Sequence, residues 1–356
     1  MKQGYRDTGN REKGTGRREQ LSLISVLLAG VLTSCYLTIT PVHPSAAAFH
    51  VAESPFFLNG QQRITGMASD GRNVVAVSHE GTIAFSQDHG VNWQVADPML
   101  DAFADGIHFN ALAWGEGYFL AGGDFGKAAW SKDGKVWHAG VIGPMNPKDI
   151  LAISIGRLKN QSVFVAAGTD GRIAYALNSP EGPWFQIALS PFGDKEGEGE
   201  SINALVYGRI KGTGIFIAAG DNGNIAVMND FSGKFSGPSA AGTRQTFRGL
   251  AFGDERFIVV GDNAAMQISA DPESYAWTNV RENFFALRPF HHIAYYPLLE
   301  FFVLIAEESV VGYSTNGESW SAASFVSHFA NGISAIACTQ KRIVLGGADG
   351  IIVYSN

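Results

Sequence analysis

The chain has 356 residues, 46% of them hydrophobic and 17% charged, with 43 glycines and a formal net charge of −7. That is enough chain for a large core, and the low charge and abundant turn formers indicate a many-stranded β protein. The acidic balance excludes a basic nucleic-acid-binding face. Two cysteines alone, Cys35 and Cys338, exclude a disulfide framework.

Residues 1–48 read as an export segment separate from the fold. Arg11, Lys13, Arg17 and Arg18 form a basic stretch, no charge occurs from Leu21 to Val42, and Ala46-Ala47-Ala48 offers a small-residue cleavage site. Three fates stay open: cleavage after Ala48, retention of the uncharged run as a membrane anchor, or lipidation of Cys35, where Leu32-Thr33-Ser34-Cys35 resembles a bacterial lipobox. Each places the rest of the chain outside the cytoplasm, periplasmic, secreted or tethered, and touching a membrane only through this segment.

From residue 49 onward one pattern recurs. A pentad of large apolar, variable, small, large apolar and usually small residues begins at Ile64, Phe109, Ile150, Ile202, Phe247, Phe290 and Ile333. The starts lie 41–52 residues apart, the length of one propeller blade. The small third residue suits an innermost strand, because strands crowd at the centre of a propeller. His292 occupies that third position in the sixth copy and departs from the rule. A second apolar strand follows each pentad (Val74–Val77, Tyr118–Ala121, Val163–Ala166, Ile215–Ala218, Phe257–Val260, Phe301–Ile305, Ile343–Leu345), then a tight turn, a third strand, and a polar turn closed by an aromatic that starts the fourth.

The seventh copy stops at Asn356, after its third strand. The segment Val51–Leu58 is expected to supply the missing fourth strand, closing the ring and removing two exposed edges. The expected fold is therefore all-β: a single, monomeric seven-bladed propeller of four-stranded blades over residues 49–356. Gly193–Glu200 and Phe231–Thr243, rich in glycine and polar residues, read as surface loops.

The turn before the fourth strand is fullest at Ser86, Asp88, Gly90 and Trp93, spaced Ser-x-Asp-x-Gly-x-x-Trp. Ser131, Asp133 and Trp137 repeat it one residue shorter, as do Ser314 and Trp320, with Asn316 in place of the aspartate. In this spacing the chain resembles the Asp-box β-propellers, a family of sialidases, other glycan-processing enzymes and exported non-enzymatic propellers such as photosystem II assembly factors. The resemblance implies a structural role for these turns, away from the binding face. The residues agree, since the aspartate can accept backbone N–H bonds inside its own turn and the tryptophan can wedge between blades. For a sialidase the resemblance also implies three arginines around a carboxylate and a tyrosine paired with a glutamate. Gln62-Arg63-Ile64-Thr65 lacks the proline of the family's Arg-Ile-Pro motif, and Arg248, Arg288, Tyr295, Tyr296 and Tyr313 are the remaining candidates.

The opposite face carries the pentad starts and the turns between second and third strands. Those turns are acidic in each copy: Glu80, Asp124, Asp170, Asp221, Asp262, Glu307 or Glu308, and Asp349. With the variable pentad residues Thr65, Asn110, Leu151, Asn203, Arg248, His291 and Ser334, they are expected to form a negatively ringed, polar mouth suited to a cation, a sugar or a basic protein segment. Asp-Gly and Asp-Asn are equally the residues hairpin turns prefer. His291 and His292, adjacent on a strand, should point to opposite faces and share no ion; His108 is the residue placed to approach His291 across the mouth. Neither metal nor cofactor is expected. The residues read best as a non-catalytic binding or assembly module for a protein or glycan in the cell envelope, with a sialidase-type glycoside hydrolase as the alternative.

Overall fold

Second strands such as Val74–Ser78 and Phe301–Ala306 are apolar at nearly every position rather than at every other one. Such a strand is covered on both faces, as in a blade flanked by two others. The computed structural model shows this arrangement and describes residues 49–58, 62–98, 106–187, 192, 199–230, 243–281, 287–323 and 332–356. Cys35, the Ala48 cleavage site and most of the stretches Gly193–Glu200 and Phe231–Thr243 lie outside the described residues.

Seven antiparallel sheets form a seven-bladed propeller. Their inner strands are Ile64–Ser69, Phe109–Gly115, Ile150–Leu158, Ile202–Ile210, Phe247–Gly253, Phe290–Tyr296 and Ile333–Cys338, each starting on its pentad. Second, third and fourth strands follow outward in chain order in blades one, two, three, five and six. In blade four, three strands fall within the described residues. The chain leaving blade one adds Asp97–Pro98 in parallel to the outer strand of blade two.

Closure follows the expected logic with a shifted boundary. The borrowed strand is Phe49–Ala52, antiparallel to Ile352–Ser355, with Val51 opposite Val353. Pro55–Leu58, expected to continue it, is a single helical turn instead. Proline lacks the N–H a strand ladder needs and is at home in a first helical turn. That turn buries Phe56 completely against Ile64 and Ile352, so it plugs the seam rather than lengthening the strand.

Among the described residues seven hydrophobic clusters form, one at each junction between neighbouring blades. Alternate residues of each second strand serve opposite junctions: Val75 and Val77 face blade two, while Val74 and Ala76 face blade seven. The first pentad residue is the wedge at each junction, at most 4% exposed in all seven copies.

The serine–aspartate turns are self-contained. Ser86 Oγ donates to Asp88 Oδ1 and accepts from the Gly90 N–H, while Asp88 accepts from the N–H of Asn92. Burial pushes the Asp88 carboxyl up, but these bonds outweigh it and hold the group below its usual range. Ser131–Asp133 and Ser314–Asn316 repeat the pattern. Each tryptophan Nε1–H bonds the glycine carbonyl of its turn: Trp93 to Gly90, Trp137 to Gly134, Trp320 to Gly317. The rings then pack against the preceding blade, Trp137 beside Val75 and Trp320 beside Ile258.

Candidate functional site

The opposite face is built by seven bulges. In every blade the pairing of inner and second strand slips by one residue at the second pentad position, as between Phe109 and Ala111 or Phe290 and His292. A bulge leaves one residue outside the ladder and re-aims its side chain. Here the residues are Thr65, Asn110, Leu151, Asn203, Arg248, His291 and Ser334, and all seven line the central channel or its mouth. The fourth pentad residues, Met67, Leu112, Ile153, Leu205, Leu250, Ile293 and Ile336, form an apolar ring below them.

Several bulge side chains spend their protons on neighbouring blades. Thr65 Oγ1 donates to Phe109 O at 2.6 Å, Asn203 Nδ2 to Phe247 O at 3.2 Å and Ser334 Oγ to Ile64 O at 2.6 Å. Each acceptor is the first pentad residue of the next blade, so these bonds stitch the ring together across its closure. Asn110 Nδ2 donates to Asp124 at 2.8 Å, and Arg248 grips both oxygens of Asp262 at 2.5 and 2.9 Å.

The acidic turns are not one ring. The N–H of the first turn residue donates to the carbonyl of the residue preceding the inner strand in all seven blades: His79 to Arg63, Asp124 to His108, Thr169 to Asp149, Asp221 to Ser201, Asp262 to Thr246, Glu307 to Pro289 and Ala348 to Gly332. This bond aligns the copies, and Asp124, Asp221, Asp262 and Glu307 share the first position. Asp170 and Glu308 fall one residue later, where φ is positive, and pair with Lys148 and Arg288. Asp349, also one residue later, is buried. The negative charges are thus split over two positions and partly neutralised.

His291 and His292 both line the mouth cavity, contrary to strand alternation, because the bulge between Phe290 and His292 interrupts it. His108 meets His79 rather than His291, with Nδ1 3.1 Å from His79 Nε2 and 3.9 Å from Asp124. Among the described residues no group of three His, Cys, Asp or Glu side chains could hold a metal ion. Burial, with the charge of His291 added, pushes the His292 imidazole down to about 4, against a weaker opposing hydrogen bond to the Ser334 backbone.

His292 carries a pH prediction. The unfolded chain protonates it near pH 6.5, whereas the fold keeps it neutral until about pH 4. Between those values the unfolded state binds more protons, so stability falls as pH drops through that window, by up to about 3 kcal/mol. Urea unfolding between pH 4 and 7 should show that loss in the native chain and a flatter profile in His292→Ala, which restores the small third residue. Parallel profiles would refute the assignment.

The cavity at the mouth measures about 600 Å³ and is lined by Arg63, Thr65, His79, Asn110, His291, His292, Glu307 and Ser334 among others. It shares Thr65, Asn110 and His292 with the channel below, a further space of about 290 Å³. Burial and the nearby Arg248 charge lower the proton affinity of His291, while Glu307 opposes them. The site therefore offers a neutral imidazole, a guanidinium and a carboxylate in one polar hollow. Spacing along the chain does not place Arg63, His79 and Glu307 in one cavity; closure of the ring does.

The groups a sialidase would converge are dispersed. Arg63 lies in the cavity, Arg248 is held by Asp262, and Arg288 is paired with Glu308 at 3.0 Å. Tyr296 and Tyr313 are buried between blades six and seven, where burial pushes the Tyr296 hydroxyl up to about 12 and that of Tyr313 higher still. Tyr295 packs on Phe302 with ring centroids 4.9 Å apart. Cys338 is a free, partly buried thiol raised to about 12 by desolvation, as suits a small core residue.

No family model matches the sequence, and no curated protein matches it. Solved structures do. The chain is similar to YCF48 bound to D1 peptide, with a TM-score of 0.65, 15% identity, and 86% of this chain and 96% of that one covered. YCF48 from Cyanidioschyzon merolae aligns with a TM-score of 0.62 at 14% identity, over 87% and 99% of the two chains. A catalytically inactive virginiamycin B lyase from Staphylococcus aureus, with quinupristin, aligns at 0.67 and 13% identity over 87% and 99%. At such identities the shared feature is the seven-bladed propeller itself.

Proposed function

We propose that the chain is an exported, non-catalytic propeller of Asp-box type that docks a protein segment at its channel mouth, as a binding or assembly module of the cell envelope. Its membrane contact is confined to residues 1–48, and the propeller acts as a monomer. The observation that carries this reading is the cavity at the mouth, which is of mixed polarity and charge and shares its lining with a channel that holds a ring of apolar residues. Such a hollow suits a segment with charged groups at its rim and an apolar side chain below. A propeller that carries a peptide, YCF48 bound to D1 peptide, supports it at the level of the fold. A glycan is the alternative occupant, and a sialidase-type hydrolase the alternative activity.

A photo-crosslinking residue at His291, in the mouth, should give one discrete, protease-sensitive adduct in envelope fractions. The same residue at Glu181, in the turn before a fourth strand on the opposite face, should give none. Equal labelling from both positions, or an adduct that a glycosidase removes, would overturn the protein-docking reading. Fluorogenic sialosides should be left intact; turnover lost in Arg63→Gln would establish the hydrolase instead.

A further inference from the structure

The turn N–H bond aligns two positions at the mouth, the first turn residue of one blade and the pre-strand residue of the next. At two junctions their side chains meet: His79 bonds His108 at 3.1 Å, and Thr246 Oγ1 donates to Asp221 at 3.3 Å. Blade seven alone carries a functional side chain at neither position, having Gly332 and Ala348 there. Glu307 of blade six has only Gly332 in the place of a partner, and Arg63 of blade one has only Ala348. Both are exposed, both line the cavity, and among the described residues neither side chain makes an ion pair or hydrogen bond. His291 lines the same cavity as both.

An unpaired cation and an unpaired anion within one cavity match a ligand that carries both charges. We propose that the gap at blade seven is a binding site for a zwitterionic group, a cationic nitrogen and a carboxylate a few bonds apart, with Arg63 taking the carboxylate and Glu307 the nitrogen. The hydroxyls of Thr65 and Ser334 have already donated to Phe109 O and Ile64 O, so they present lone pairs to N–H donors. The apolar ring below accepts a side chain such as leucine. This deepens, and rests on, the reading of the mouth as a docking face. A free amino acid or dipeptide and a chain segment with neighbouring opposite charges share this chemistry.

Titration calorimetry of the full chain with alanyl-leucine, its N-acetyl form and its amide tests the site. The dipeptide should bind, and each singly capped form should bind about tenfold more weakly or worse. Arg63→Gln should weaken the dipeptide about tenfold while leaving the amide unchanged; Glu307→Gln should do the converse with the N-acetyl form. Ala348→Asp, which supplies Arg63 with the missing partner, should abolish binding while the fold keeps or raises its melting temperature. A doubly capped decapeptide with an internal Lys-Glu pair that outbinds the dipeptide assigns a chain segment; the reverse order assigns a free zwitterion. Absence of binding by all of these, capped forms as tight as the dipeptide, or both Gln variants within twofold of native overturns the proposal. A His291 crosslink that survives such a failure leaves the docking reading standing and removes only the zwitterion site.

Discussion

Gly168→Ala is expected to destabilise the propeller by about 3 kcal/mol or more, a large loss for one methyl group. A Cβ at Gly168 would lie 1.8 Å from the Asp149 carbonyl oxygen. That oxygen accepts the Thr169 N–H at 3.1 Å; Ser78 and Ala306 hold the equivalent place in blades one and six with the same bond kept, Ala306 at φ −106°, so an alanine at 168 must shift the local backbone toward that geometry. The backbone there is extended, with φ of −177°, so the requirement is for room and not for an unusual angle. Gly123, Gly220 and Gly261 stand at equivalent positions, with Cβ-to-carbonyl distances of 1.9, 2.0 and 2.1 Å to His108, Ser201 and Thr246. Gly143, with nothing within 4 Å of its Cβ, is the control, and its alanine variant should stay within about 0.5 kcal/mol of native. Urea midpoints at unchanged m-value distinguish the two. A Gly168→Ala midpoint equal to that of the control would mean that the turn bond is looser than described.

Phe56→Ala should cost about 3–5 kcal/mol, the range for emptying a fully enclosed aromatic site. Phe56 is wholly buried in the cluster that joins blade seven to blade one, beside Ala52, Ile64 and Ile352. The seam is the one junction at which the ring is held by strands from opposite ends of the chain, so its loss should free Phe49–Ala52 to fray. Proteolysis should then cut first in the N-terminal segment. Val51→Ala, on the borrowed strand itself but 56% exposed, should be nearly neutral in both assays. Equal sensitivity of the two variants would indicate that the helical turn does not seal the seam.

Most of the propeller was legible because a repeat states its rule seven times. The pentad fixed the start of every inner strand, and the run of apolar residues after it announced a strand covered on both faces. The single boundary misread, Val51–Leu58, lay where the repeat no longer applied: Pro55-Phe56-Phe57-Leu58 is apolar enough for a strand, and proline sent it into a helical turn. The mouth was harder. Alternation predicted opposite faces for His291 and His292, but a bulge at the second pentad position adds one residue and puts both on the cavity. Nothing in one pentad announces that slip, because it is set by the register between strands. The signal for the blade-seven gap was present, since Gly332 and Ala348 stand where other copies carry larger residues. Recognising it required the correct alignment of the turns, and Asp170 and Asp349 sit one position away from Asp124 and Asp221.

Blade number, strand order and the identity of the wedge residues were determined by the chain's own periodicity, because burial of a repeated apolar pattern has one economical solution in a closed ring. Which charges are spent and which are left over was decided only in three dimensions. Arg248 and Arg63 look alike in the sequence, yet one is clasped by Asp262 and the other faces Ala348. The physical reason is that an ion pair depends on separation in space, set here by which turn folds over which inner strand and by which blade stands beside it, and spacing along the chain does not set that.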